Sequence, residues 1–132
     1  MKLFADEPGA VEARSWEGPI VISALALAEV VAAVWGKVAR AELGEEQAAT
    51  LDRAFVAEVR TGRFVVLPVA DAIVARALAC VRRHRLRGAD AVQLASALMT
   101  READPDVDTM AVFDHRLRTA ASAEGLALLP AP

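Results

Sequence analysis

Three carboxylates stand in places where a carboxylate is expensive. From Gly18 to Gly36 the only ionisable side chain is Glu29, set in Ser23-Ala24-Leu25-Ala26-Leu27-Ala28-Glu29-Val30-Val31. Asp90 repeats the pattern between Arg87 and Arg101, in Gly88-Ala89-Asp90-Ala91-Val92-Gln93-Leu94-Ala95-Ser96-Ala97-Leu98. An isolated acid on an apolar helix is costly to bury unless something pairs with it. Asp114 directly follows the apolar run Thr109-Met110-Ala111-Val112-Phe113. That run reads as a strand and puts Asp114 at its carboxyl end, where open α/β sheets hold their ligand crevices; Asp108 precedes it, at the opposite end. Three acids that converge repel one another unless a hard cation neutralises them, and Mg²⁺ or Mn²⁺ with retained waters is the usual solution. Blander readings exist for each. Asp90 after Gly88 and Asp114 before His115-Arg116-Leu117 are acceptable helix N-caps, and Glu29 in mid-helix could instead pair with a buried arginine.

The elements that must position these acids alternate between strand and helix. A short helix over 8–17 ends at Gly18-Pro19, and Ile20-Val21-Ile22-Ser23 is a β-branched run suited to a strand buried on both faces. Helices follow over 24–43, stopped by Gly44, and over 45–60, where Ala48, Leu51, Phe55 and Val59 recur at helical spacing. The second strand covers 64–69, with Pro68 marking an edge or the end of its ladder. Helices over 71–85 and 90–101, a strand over 109–113, a helix from Asp114 to Glu124 and a strand over 126–129 complete the order. This alternation predicts an α/β sandwich with a largely parallel sheet flanked by helices.

With 132 residues, 55% of them hydrophobic and 25% charged, the chain fits one domain over 1–132 and excludes intrinsic disorder. Glu29 interrupts the longest uncharged stretch and argues against a membrane span. Asp6 and Glu7 interrupt any apolar secretory core, so the expected compartment is the cytoplasm. The lone Cys80 has no internal disulfide partner and is expected to pack as a small hydrophobe. A net charge of -3 means that a nucleic-acid substrate would need a local basic site or bound cations. The one dense basic run is Arg82-Arg83-His84-Arg85-Leu86-Arg87. It reads either as the solvated end of a helix, or as a source of phosphate contacts near Asp90 from Arg85 and Arg87 together with Arg116. His84 and His115 lack the spacing of a zinc site and are expected at the surface.

Taken in order, Asp6-Glu7-Pro8-Gly9, Ser23-Ala24-Leu25-Ala26-Leu27-Ala28-Glu29, Arg87-Gly88-Ala89-Asp90-Ala91-Val92-Gln93-Leu94-Ala95 and Phe113-Asp114-His115-Arg116-Leu117 resemble a PIN-domain protein of the VapC toxin type over nearly the whole chain. The resemblance implies a three-layer PIN-like sandwich and a divalent-metal endoribonuclease, the toxin of a type II toxin-antitoxin system. Glu29, Asp90 and Asp114 match three of the family's acids. The resemblance assigns Asp90 and Asp114 mainly to Mg²⁺ or Mn²⁺ binding, and Glu29 to metal binding or to positioning the attacking water. It also implies an RNA substrate, a VapB-like antitoxin and a homodimer.

The sequence departs from the family at its beginning. Members start with a strand ending in aspartate, followed by an apolar stretch and a lysine, and Met1-Lys2-Leu3-Phe4 matches only the end of that motif. The resemblance therefore implies a missing first acid, a truncated N-terminal strand and a vacant position in mid-sheet. It further suggests that the natural protein starts about ten residues earlier, the length of one strand and its turn. The competing functional reading is a catalytically impaired PIN-fold module that binds an antitoxin or dimerises without cleaving RNA.

Overall fold

A computed structural model describes residues 2–5, as backbone, and residues 20–131. The expected helix over 8–17 and the Asp6-Glu7-Pro8-Gly9 fragment lie outside the described residues. In chain order the elements are β1 (Lys2–Ala5), β2 (Ile20–Ser23), α1 (Ala24–Ala39), α2 (Glu45–Arg60), β3 (Phe64–Leu67), α3 (Asp71–His84), α4 (Gly88–Ala103), β4 (Val107–Ala111), α5 (His115–Ala123) and β5 (Ala127–Leu129).

The five strands form one sheet in the order β3-β2-β1-β4-β5, and every pairing between neighbours is parallel. One expectation is corrected at its centre. The mid-sheet position that the resemblance leaves vacant is held by Lys2–Ala5, whose residues pair with Ile20–Ile22 on one side and with Val107–Ala111 on the other. Neighbouring strands with buried edges need a backbone partner, and this segment supplies it.

β2 shows how the sheet is enclosed. All four of its residues are buried. Ile20 and Ile22 join Ala26, Phe64 and Ala111 in one core, while Val21 joins the larger core of α3, α4 and α5, with Leu94, Leu98, Met110 and Leu117. Alternation along the strand thus sends side chains to both faces, giving three layers with helices above and below. α4 is the most deeply embedded helix, with seven buried residues from Ala91 to Leu98.

Several boundaries move from their expected places. α1 stops at Ala39 instead of reaching Leu43, because the chain turns at Ala41, which takes φ 57°. α2 then starts after Gly44, whose N–H donates to the Gln47 side chain at 3.1 Å. β4 ends at Ala111, opposite Ala5, so that Val112 and Phe113 belong to the following loop. Asp108 consequently lies inside β4 rather than before it, and Asp114 comes three residues after the strand. Among the described residues, no helix is long and apolar enough to cross a membrane.

Candidate functional site

Asp90 and Asp114 line one hollow of about 380 Å³ together with Leu86, Arg87, His115 and Arg116. Each acid is delivered by the start of a helix, where the backbone N–H groups favour negative charge. Asp114 is the N-cap of α5, its Oδ1 accepting the Leu117 N–H at 2.9 Å. The capping reading of Asp114 is therefore correct as far as it goes, and the same residue also lines the hollow. For Asp90 that reading is corrected. Arg87 takes the N-cap position of α4, and Asp90 is the helix's third residue and makes no cap hydrogen bond. Burial, and then the charge of Asp114, push the Asp90 carboxyl above its ordinary pKa, with Arg87 opposing them.

Glu29 occupies the second turn of α1 and is exposed, not buried as its apolar neighbours suggest. Its Oε2 accepts a hydrogen bond from Gln93 Nε2 at 3.5 Å. Gln93 is buried on α4, three residues on from Asp90, and among the described residues its Oε1 has no hydrogen-bond partner. Glu29 is thus linked to the helix that carries Asp90 without joining the carboxylate pair. Among the described residues, no three acidic, histidine or cysteine side chains are grouped closely enough to hold a metal by themselves. The pair still fits a hard cation in kind, because Mg²⁺ takes one or two carboxylates and keeps several waters, and the repulsion of Asp90 by the charge of Asp114 is relieved by a nearby cation.

The three arginines surround this pair. Arg87 and Arg116 line the acid hollow, and Arg85 lines an adjoining one of about 390 Å³ with His84, His115, Arg116, Thr119 and Ala120. Arg85 ends α3 at φ 56°, a left-handed conformation that L-residues rarely take. His115 is exposed as expected, but His84 is corrected. It is largely buried, and its Nε2 lies 2.7 Å from Glu124 Oε1, a contact that pulls the Glu124 carboxyl below its usual range. Cys80 is buried and burial pushes its thiol up, as suits a packing residue.

Sequence reasoning passed over Gln93 and placed His84 at the surface. Gln93 carried a signal, being a lone amide in an apolar helix. His84 carried none, because its partner is forty residues away along the chain.

The PIN domain family matches residues 1–122. Two proteins named Ribonuclease VapC45 and Ribonuclease VapC49, from Mycobacterium tuberculosis strains CDC 1551 / Oshkosh and H37Rv, are each 38% identical to the chain over 134 residues, covering 99% of it and 90% of each relative. The fold is similar to a chain of a toxin-antitoxin complex from Klebsiella pneumoniae, with a TM-score of 0.50 at 17% identity, over 76% of this chain and 81% of that one. The chain belongs to the PIN domain family and is of the VapC type.

Proposed function

We propose that this protein is a divalent-metal-dependent endoribonuclease, the toxin of a toxin-antitoxin pair, held in check by a VapB-like antitoxin and acting in the cytoplasm as a homodimer. The observation that carries the reading is the Asp90–Asp114 pair, two acids sharing one hollow with the Asp90 carboxyl pushed up. The VapC names of the relatives supply the substrate class. Asp90 and Asp114 would hold Mg²⁺ or Mn²⁺, with Glu29 as a further ligand through water or as the group that orients the attacking water. The metal, when bound, polarises the phosphate and stabilises charge developing in the displacement. Gln93 holds Glu29 toward α4, and Arg87, Arg116 and Arg85 fix the RNA backbone as phosphate contacts do, by position rather than by sequence. They offer the local cationic surface that a chain of net charge -3 requires.

The test is cleavage of structured RNAs with Mg²⁺ or Mn²⁺ by the parent and by Asp90→Asn prepared identically. Cleavage by the parent alone is the expected result; equal behaviour of the two overturns the reading. One observation favours a second reading, a binding module without cleavage: Glu29 does not join the carboxylate pair. Under that reading neither protein cleaves RNA, while both bind the antitoxin alike.

A further inference from the structure

We propose that the hollow between the end of α3 and the face of α5 is a second phosphate subsite, which takes the phosphate of a nucleotide next to the one cleaved between Asp90 and Asp114. The inference rests on the ribonuclease reading and extends the substrate it binds beyond the scissile bond.

The lining carries it. His84, Arg85, His115, Arg116 and Thr119 contribute imidazoles, guanidiniums and a hydroxyl, and among the described residues no carboxylate lines the hollow. In a chain with more acids than bases this is a local inversion of charge. The sequence contains two histidines, and both are here. His115 and Arg116 also line the acid hollow, so the two depressions meet along the start of α5 and a strand of RNA could lie across both. The size, about 390 Å³, lies in the range of small-molecule sites and admits a phosphate with part of its sugar.

Two local features prepare the surface. Glu124 engages His84 Nε2 at 2.7 Å, which holds the ring and leaves Nδ1 as its remaining polar atom. Arg85 ends α3 in a left-handed turn, with its N–H donating to the Val81 carbonyl at 2.9 Å. This left-handed cap turns the chain off the helix axis at α3's end, and a guanidinium binds phosphate through two parallel hydrogen bonds.

The histidines make the test direct in NMR, since the His84 ring lines this hollow and not the acid one, while His115 lines both. The whole protein, free of added metal, is titrated with the 5′-phosphorylated ribodinucleotide pApA, with ApA and with inorganic phosphate. Both histidine rings should shift along one saturable curve with pApA, and ApA, lacking the second phosphate, should bind about tenfold more weakly, as for one lost charge-assisted contact. Arg116→Gln should weaken pApA by a similar factor. So should Arg85→Gly, a variant that relieves the left-handed backbone and so keeps the fold.

The proposal is overturned if pApA moves amides beside Asp90 and Asp114 and leaves the His84 ring untouched, a result that spares the ribonuclease reading. It also fails if inorganic phosphate binds as well as pApA, which would mark a general anion site, or if the rings respond to protein concentration alone, which would mark a self-association surface. Shifting rings in a protein that cleaves no better than Asp90→Asn would retain the subsite and remove the nuclease.

Discussion

α1 and α4 have the same length, sixteen residues, and each carries one acid among the apolar side chains of its first half, yet α4 buries seven residues and α1 buries Ala26 alone. The difference lies in what surrounds them. α4 is enclosed by α3, α5 and the sheet, whereas α1 packs mainly against α2. Trp35, Leu51 and Val56 accordingly remain exposed on the α1–α2 hairpin. Composition sets which residues are able to go inside, and neighbours decide which do. For the acids the consequence is that Asp90, on the enclosed helix, feels burial, while Glu29, on the open one, meets solvent.

The comparison can be broken most severely in the core of α4. Leu94 is fully buried, so Leu94→Ala should destabilise the protein by about 3 kcal/mol in urea unfolding; a loss below about 1 kcal/mol would mean that α4 is not the enclosed helix. Asp90→Asn should lower metal-dependent cleavage on the order of 10²-fold or more, the scale of losing a charged group that acts in the transition state. The same variant should be more stable than the parent at neutral pH. The sign follows from the raised carboxyl: its folded pKa exceeds its unfolded one, so the stability it contributes is fully present below the unfolded pKa and is lost as pH rises through the folded value. The advantage of Asp90→Asn should therefore vanish in unfolding measured below about pH 4.

Asp114→Ala should remove the α5 cap at a cost of about 1 kcal/mol as well as activity, whereas Asp114→Asn should keep most of the stability and still lose activity. Comparing the two by thermal unfolding and RNA cleavage separates capping from chemistry. The smallest effect is expected on the open hairpin, where Leu51→Ala should change stability by no more than about 0.5 kcal/mol.

The strand at Ile20–Ser23 and the helix at Glu45–Arg60 were legible because a β-branched run and glycine-bounded helical spacing are local signals. Asp114 was legible as both cap and crevice residue for the same reason. Asp90 was only half so, since whether it caps α4 depends on a start displaced by two residues, which puts Arg87 in the cap position. The exposure of Glu29 and the burial of His84 were not written locally. One depends on which face of α1 meets the sheet, and the other on Glu124 arriving from the far end of α5.

The parallel pairing of Lys2–Ala5 with Val107–Ala111 also has a meaning in time. During synthesis, the middle of the sheet cannot close until the second of these segments has left the ribosome, and joining strands so distant along the chain is slow. Asp114 emerges later still. The carboxylate pair thus cannot assemble until Asp114 has followed Val107–Ala111 out, and until then a nascent chain carries Asp90 without its neighbouring acid.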